Sequence, residues 1–212
     1  YIPHLFKYAQ LVLAMNPNKV VYGTCGTTAD YFVEWREDDT DWQKEICEKC
    51  TPDGRILEQD RITASLLDKK RLLSIIRDFI LYDSNIKKVA RHQQFFAVNN
   101  AMNRINGKDD SDFHGGVIWH TQGSGKSLTM VMVAKYILME MSRFNPHVVI
   151  VTDRKELDKQ IAKTFAHTRL APARATSGKH LIDLINKGSA DVITSIINKF
   201  NTVESSGLKN HS

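Results

Sequence analysis

The chain has 212 residues, 42% of them hydrophobic and 25% charged, with a formal net charge of +5. That balance is ordinary for a globular protein. No apolar run reaches the length of a membrane span, no segment is of low complexity, and the mild positive charge admits a polyanionic partner without identifying one. The three cysteines, an odd number with no secretory pattern, suit a reduced, cytoplasmic setting. Cys47 and Cys50 form a C-x-x-C, but no second ligand pair accompanies them, so the spacing reads as an ordinary loop. The chain opens inside an apolar segment, YIPHLFKY, and closes on a polar one, SSGLKNHS, so both ends are expected to be cuts in something longer.

In chain order, residues 1–36 read as short strands and a helix, with KVVYGT and the alternating DYFVEW as strands. Residues 37–60 turn polar, and this shift marks a domain boundary at 60/61. From about residue 65 apolar residues recur at helical steps in SLLDKKRLLSIIRDFIL, and residues 86–105 read as a second helix. NGKDDSD breaks the pattern. Then GGVIWH reads as a buried strand, LTMVMVAKYILMEM as a helix packed on both sides, and HVVIVT as a second buried strand. RKELDKQIAKTF reads as an amphipathic helix, HLIDLINK as a short helix and DVITSI as a third strand. Alternating strands and helices of this kind build a parallel sheet wrapped by helices.

Between the first of those strands and its helix lies His120-Thr121-Gln122-Gly123-Ser124-Gly125-Lys126-Ser127. Its end matches the phosphate-binding pattern G-x-x-x-x-G-K-[S/T], with His120 in place of the first glycine. Gly123 and Gly125 allow successive N–H groups to face a phosphate, and the following helix presents its positive end to the same anion. Lys126 is placed to bridge β- and γ-phosphate oxygens, and the Ser127 hydroxyl to hold Mg²⁺. Thr121, Gln122 and Ser124 complete the cradle.

The run GGVIWHTQGSGKSLTMV, followed by VVIVTDRKELDKQ and DVITSIINKF, resembles the motor (R) subunit of type I restriction enzymes, which are DNA translocases of helicase superfamily 2. The histidine in the first-glycine position is itself like that family. The resemblance implies an α/β fold: a RecA-like P-loop sheet with flanking helices (residues 61–212), preceded by the tail of an α/β nuclease domain (residues 1–60). Arg91 and Gln94 have the R-x-x-Q spacing of the superfamily's adenine-reading motif, in which an amide can both donate to and accept from the base. Thr152 and Arg154 look like motif Ia, and Thr194 and Ser195 like motif Ib, which meet the DNA backbone in the family.

The implied activity is ATP-driven translocation of double-stranded DNA with cleavage away from the recognition site, using ATP and Mg²⁺. The implied partners are the modification (methyltransferase) and specificity subunits, with no membrane. The Asp-Glu box that supplies the metal carboxylate and water base is expected beyond residue 212, and the nuclease acids before residue 1. Residues 1–212 alone are therefore expected to be inactive. Asp153, which ends an apolar strand, offers a kinase-like alternative for the metal carboxylate. Other P-loop ATPases, including different superfamily 2 helicases, and a non-catalytic nucleotide-binding scaffold are the remaining readings.

Overall fold

The computed structural model describes residues 3–6, 8–38, 40–51, 54–107 and 115–200. The chain divides into two compact units, Tyr1–Asn100 and Ala101–Ser212. The 60/61 line expected from composition thus falls inside the first unit. The polar stretch before it is largely helical. It carries helix α1 (Asp41–Cys50), whose entry is tied by the Gln43 Oε1, which accepts from the Thr40 amide at 2.8 Å. Helix α2 (Glu58–Leu66) packs on α1 and on the strand Lys19–Gly23.

The first unit opens with an antiparallel sheet in the order β1 (Val12–Asn16), β2 (Lys19–Gly23), β3 (Val33–Glu34). The β1–β2 register runs from Val12↔Gly23 to Asn16↔Lys19. Helix α3 (Lys69–Asp78) starts at Asp68, whose carboxylate accepts from the Arg71 amide at 2.9 Å. The chain then leaves the helical course expected from its periodicity. Ile80–Asp83 is strand β4 and Ile86–Val89 strand β5, paired antiparallel from Ile80↔Val89 to Asp83↔Ile86. The turn residues Ser84 and Asn85 both have positive φ, 52° and 66°, the conformation of a tight two-residue hairpin. The helix expected over residues 86–105 is therefore shorter: α4 is His92–Ile105. Tyr22, Trp35, Leu66, Ile75, Phe79, Phe95 and Val98 form the buried apolar interior.

In the second unit, α5 (Lys126–Glu140), β6 (Val148–Thr152), α6 (Lys155–His167), β7 (Ala173–Arg174), α7 (Gly178–Lys187) and β8 (Val192–Ile196) follow one another. The sheet is parallel in the order β6-β8-β7. This is a mixed α/β architecture compatible with a RecA-like ATPase domain. Strand β8, central in the sheet, is the most covered. Ile193 packs with Ala175 and Leu181, and Val131, Met132, Ile161 and Phe165 are also buried.

Three expectations about burial change. Residues 115–120 form no strand, and Val117 and Trp119 are 90% and 89% exposed. An apolar run becomes a buried strand only beside a pairing partner, and among the described residues none pairs with it. Val149 and Val151 leave one face of β6 open, and Met130 and Met139 leave α5 covered on only part of its circumference. Among the described residues, no helix is long and apolar enough to cross a membrane.

Candidate nucleotide site

Helix α5 begins at Lys126, directly after Gly125. Gly123 and Gly125 have φ of 77° and 88°, left-handed values that an L side chain rarely adopts. No atom lies within 4 Å of where a Cβ at Gly123 would sit, so what selects glycine there is backbone conformation rather than crowding. The loop is braced from inside. Ser124 is buried, and its hydroxyl donates to the Thr121 carbonyl at 2.7 Å. The Thr129 amide donates to the Gly125 carbonyl at 3.0 Å, closing the first helical turn. Thr121, Gln122, Gly123 and Lys126 are exposed and Ser127 is half-buried. A left-handed bend into a 15-residue helix, with an exposed lysine at its first position, fits a triphosphate: the amides that open a helix and the helix dipole both favour an anion. His120 is half-buried, and its Nδ1 is buried without a hydrogen-bond partner.

Arg91 and Gln94 lie at the start of α4 in the first unit. Gln94 is buried, and its Oε1 accepts from the Arg91 amide at 2.9 Å, so this side chain caps its own helix. The turn is held from several sides. The buried Tyr22 hydroxyl donates to the Ala90 carbonyl at 2.8 Å, and His92 Nδ1 lies 3.3 Å from the Glu34 carbonyl. Burial pushes the Tyr22 hydroxyl far above its ordinary range, and burial likewise holds His92 below the usual imidazole value.

The residues expected to face DNA differ in exposure. Arg154 is exposed and pairs with Asp153 at 3.2 Å. Thr152 is buried, and its hydroxyl donates to the Ser195 carbonyl at 3.5 Å. Thr194 and Ser195 are both wholly covered within β8. Of the four side chains, only Arg154 reaches solvent. Asp153, the alternative metal carboxylate, is exposed. Among the described residues no group of three or more His, Cys, Asp or Glu side chains is gathered as a metal site; Cys47 is buried and Cys50 exposed.

One cluster had no sequence signal. Glu37, in the polar stretch read as a boundary, receives a bidentate pair from Arg71 at 2.6 and 2.9 Å. Trp35 Nε1 and Gln43 Nε2 each donate to it at 3.1 Å, and the Ser65 hydroxyl also donates. A cavity of about 620 Å³ opens beside Trp35, Glu37, Gln43, Ser65 and Phe96. Burial pushes the Glu37 carboxyl up, but the bonds from Arg71, Ser65 and Trp35 outweigh it and hold the group below the usual carboxylate range. A depressed folded pKa means that the unfolded chain takes up the proton first as pH falls. The contribution of Glu37 to stability is thus whole above its unfolded value near 4.5 and is lost as pH drops through the folded value. His92, also depressed, adds an acid-side loss that begins higher, below 6.5. Glu37→Gln is therefore expected to flatten the fall in melting temperature of the first unit below pH 4.5 while leaving the step from His92 in place. Thermal melts across the acid range check this, and an unchanged slope would separate Glu37 from acid stability.

Comparison with known proteins gives a consistent answer. Residues 93–212 match the family model of the SWI2/SNF2 ATPase. A putative type I restriction enzyme MjaIXP endonuclease subunit of Methanocaldococcus jannaschii is 31% identical over 94% of this chain and 20% of its own length. The type I restriction enzyme HindI endonuclease subunit of Haemophilus influenzae is 30% identical over 85% of this chain and 16% of its own. A second M. jannaschii protein, the putative MjaVIIP endonuclease subunit, is 39% identical over 58% of the chain and 12% of its own length. The chain spans about a fifth or less of the length of these relatives. By these matches the chain belongs to the SWI2/SNF2 ATPases of helicase superfamily 2, and its relatives are endonuclease subunits of type I restriction enzymes.

Proposed function

We propose that this chain is the ATP-binding part of the R subunit of a type I restriction endonuclease, which hydrolyses ATP to move duplex DNA past itself and cleaves it away from the recognition site. The observation that carries the reading is the loop at 120–127, with left-handed glycines at 123 and 125 and an exposed Lys126 opening α5. Thr121, Gln122, Gly123, Ser124 and Gly125 cradle the phosphates, Lys126 neutralises charge on the β and γ oxygens, and the Ser127 hydroxyl holds the Mg²⁺ that travels with ATP. When bound, the cation supplies further neutralisation of the phosphate charge. Arg91 and Gln94 serve the base.

Arg154 meets the DNA backbone from the carboxyl end of β6. Thr152, Thr194 and Ser195 act there through the strand ends that they lock in place, since all three are buried. Residues 1–60 are the end of a nuclease domain and residues 61–212 the beginning of the first RecA-like lobe. The assembly includes double-stranded DNA and the modification and specificity subunits, in the cytoplasm. The test is the intact protein combined with those two subunits. ATP hydrolysis that rises with DNA, together with ATP-dependent displacement of a third strand from a distant triplex site, is the expected result. Hydrolysis indifferent to DNA, with no displacement, would make the protein a different kind of ATPase.

Base choice gives a second test. Gln94→Ala is expected to weaken ATP by roughly 1–3 kcal/mol, the range for a two-bond contact at a base edge, while inorganic triphosphate is unaffected. Equal losses for both ligands in a competition titration would make Gln94 a helix cap and nothing more.

A further inference from the structure

The Arg71 guanidinium is enclosed by four aromatic rings. Its central carbon lies 5.6 Å from the ring centres of Trp35 and Trp42, 5.8 Å from Phe95 and 5.9 Å from Phe96. Its two arms are fixed by both oxygens of Glu37, and side-chain exposure is only 15% for Arg71 and 11% for Glu37. A planar fork locked at both ends leaves the guanidinium little freedom to turn, so the rings against it are also held. Phe95 and Phe96 are the two residues that follow Gln94 in α4. They pack on each other at 5.3 Å and on Trp35 at 5.3 and 5.6 Å, and Phe95 also meets Phe79 at 4.7 Å.

Successive helix residues are separated by roughly 100° about the axis, so the directions taken by residues 95 and 96 set the direction of residue 94. The turn from Arg91 to Gln94 is thus fixed on its entry side by Tyr22 and the Glu34 carbonyl, and on its exit side by the aromatic pair against Arg71.

We infer that Arg71, locked by Glu37, is a positioning residue for purine recognition: through Phe95 and Phe96 it sets the rotation of the first turn of α4 and so the aim of Arg91 and Gln94. The inference rests on the proposed role of Arg91 and Gln94 as contacts to the base. Neither Arg71 nor Glu37 touches nucleotide in this scheme. Their effect is on the base contact, and the phosphate contacts proposed for residues 121–127 involve none of these side chains. Loosening the fork widens the range of directions of the Gln94 amide, and a two-bond contact to a base edge is sensitive to direction.

The experiment uses the intact protein and four variants: Arg71→Lys, which keeps the charge but loses the fork and the flat face; Glu37→Gln, the milder change, which keeps the shape but loses the charge; Gln94→Ala; and the double variant Arg71→Lys with Gln94→Ala. The readouts are the dissociation constants for ATP and for inorganic triphosphate, KM and kcat for ATP, and a melting temperature for each variant. Arg71→Lys and Glu37→Gln are expected to weaken ATP by roughly five- to tenfold and to raise KM in step. Triphosphate affinity and kcat at saturating ATP should stay within about twofold of the parent, and the double variant should lose no more ATP selectivity than Gln94→Ala alone, as for residues acting through one contact. A purely structural role would lower the melting temperature and leave the ratio of ATP to triphosphate affinity unmoved, and that result overturns the inference. If Gln94→Ala shifts the ratio and the two clamp variants do not, the positioning role fails while the base contact stands. If Gln94→Ala itself leaves the ratio unchanged, the base contact fails and the inference falls with it.

Discussion

Lys126→Ala in the intact protein is expected to lower DNA-stimulated ATP hydrolysis by at least about 10²–10³-fold, the usual cost of removing one group aimed at developing charge, and to end ATP-driven DNA movement. The structure separates this loss from any damage to the fold. Lys126 is exposed at the first position of α5, outside the buried set formed by Thr129, Val131, Met132 and Ala134. Alanine is also the residue that an α-helix accepts most readily. The loop conformation depends instead on Gly123, Gly125 and the Ser124 hydroxyl, all untouched by the change. Phosphate release measured with and without DNA checks the catalytic effect, and an unchanged melting temperature checks the fold. Turnover equal to that of the parent protein would remove the loop from the nucleotide site.

Phe165→Ala is expected to destabilise the second unit by about 3–5 kcal/mol, the range for emptying a buried aromatic position. Phe165 is wholly buried near the end of α6, and α6 packs on α5, β6 and β8. Its loss would leave a cavity between one helix and the sheet it covers. A single unfolding free energy is poorly defined for a long chain with several units, so the measurement should be local. Hydrogen exchange at the amides of residues 148–152 and 192–196 should quicken markedly, while the β4–β5 hairpin of the first unit keeps its protection. Unchanged exchange in β6 and β8 would show that Phe165 contributes no core to this sheet.

The parts of this protein that were legible in sequence are those governed by local patterns. Lys155–His167 and Gly178–Lys187 carry apolar residues on one face at helical spacing, and both form the helices expected. Gly123 and Gly125 are legible because a left-handed bend before a helix needs residues without side chains. Where the determinant is distant, pattern misleads. IKKV reads as the start of a helix until Ile80–Asp83 is seen to pair with it across Ser84 and Asn85. The polar residues 37–60 show no sign of a buried cluster in sequence, because nothing near Glu37 reveals an arginine 34 positions later. Thr194 and Ser195 are expected to face DNA, yet they lie in the central strand of the sheet, where Val192 to Ser195 are all buried. The strand expected at GGVIWH shows the same limit in reverse: its residues are apolar enough, but β-structure is made by pairs, and among the described residues it has no partner.

That unpaired segment has an optical consequence. Of the three tryptophans, Trp35 is 2% exposed and packed among aromatic rings, Trp42 is half-buried beside Arg71, and Trp119 is 89% exposed. The indole of Trp119 stands in water one residue before His120, where the phosphate loop begins. It is thus the natural target of a soluble quencher such as iodide, which has little access to Trp35. With Trp42 replaced by phenylalanine, the quenchable share of the emission belongs to one residue at the mouth of the loop. The chain thereby carries its own fluorescent gauge of loop ordering, readable without an added dye and calibrated by the buried Trp35 in the same spectrum.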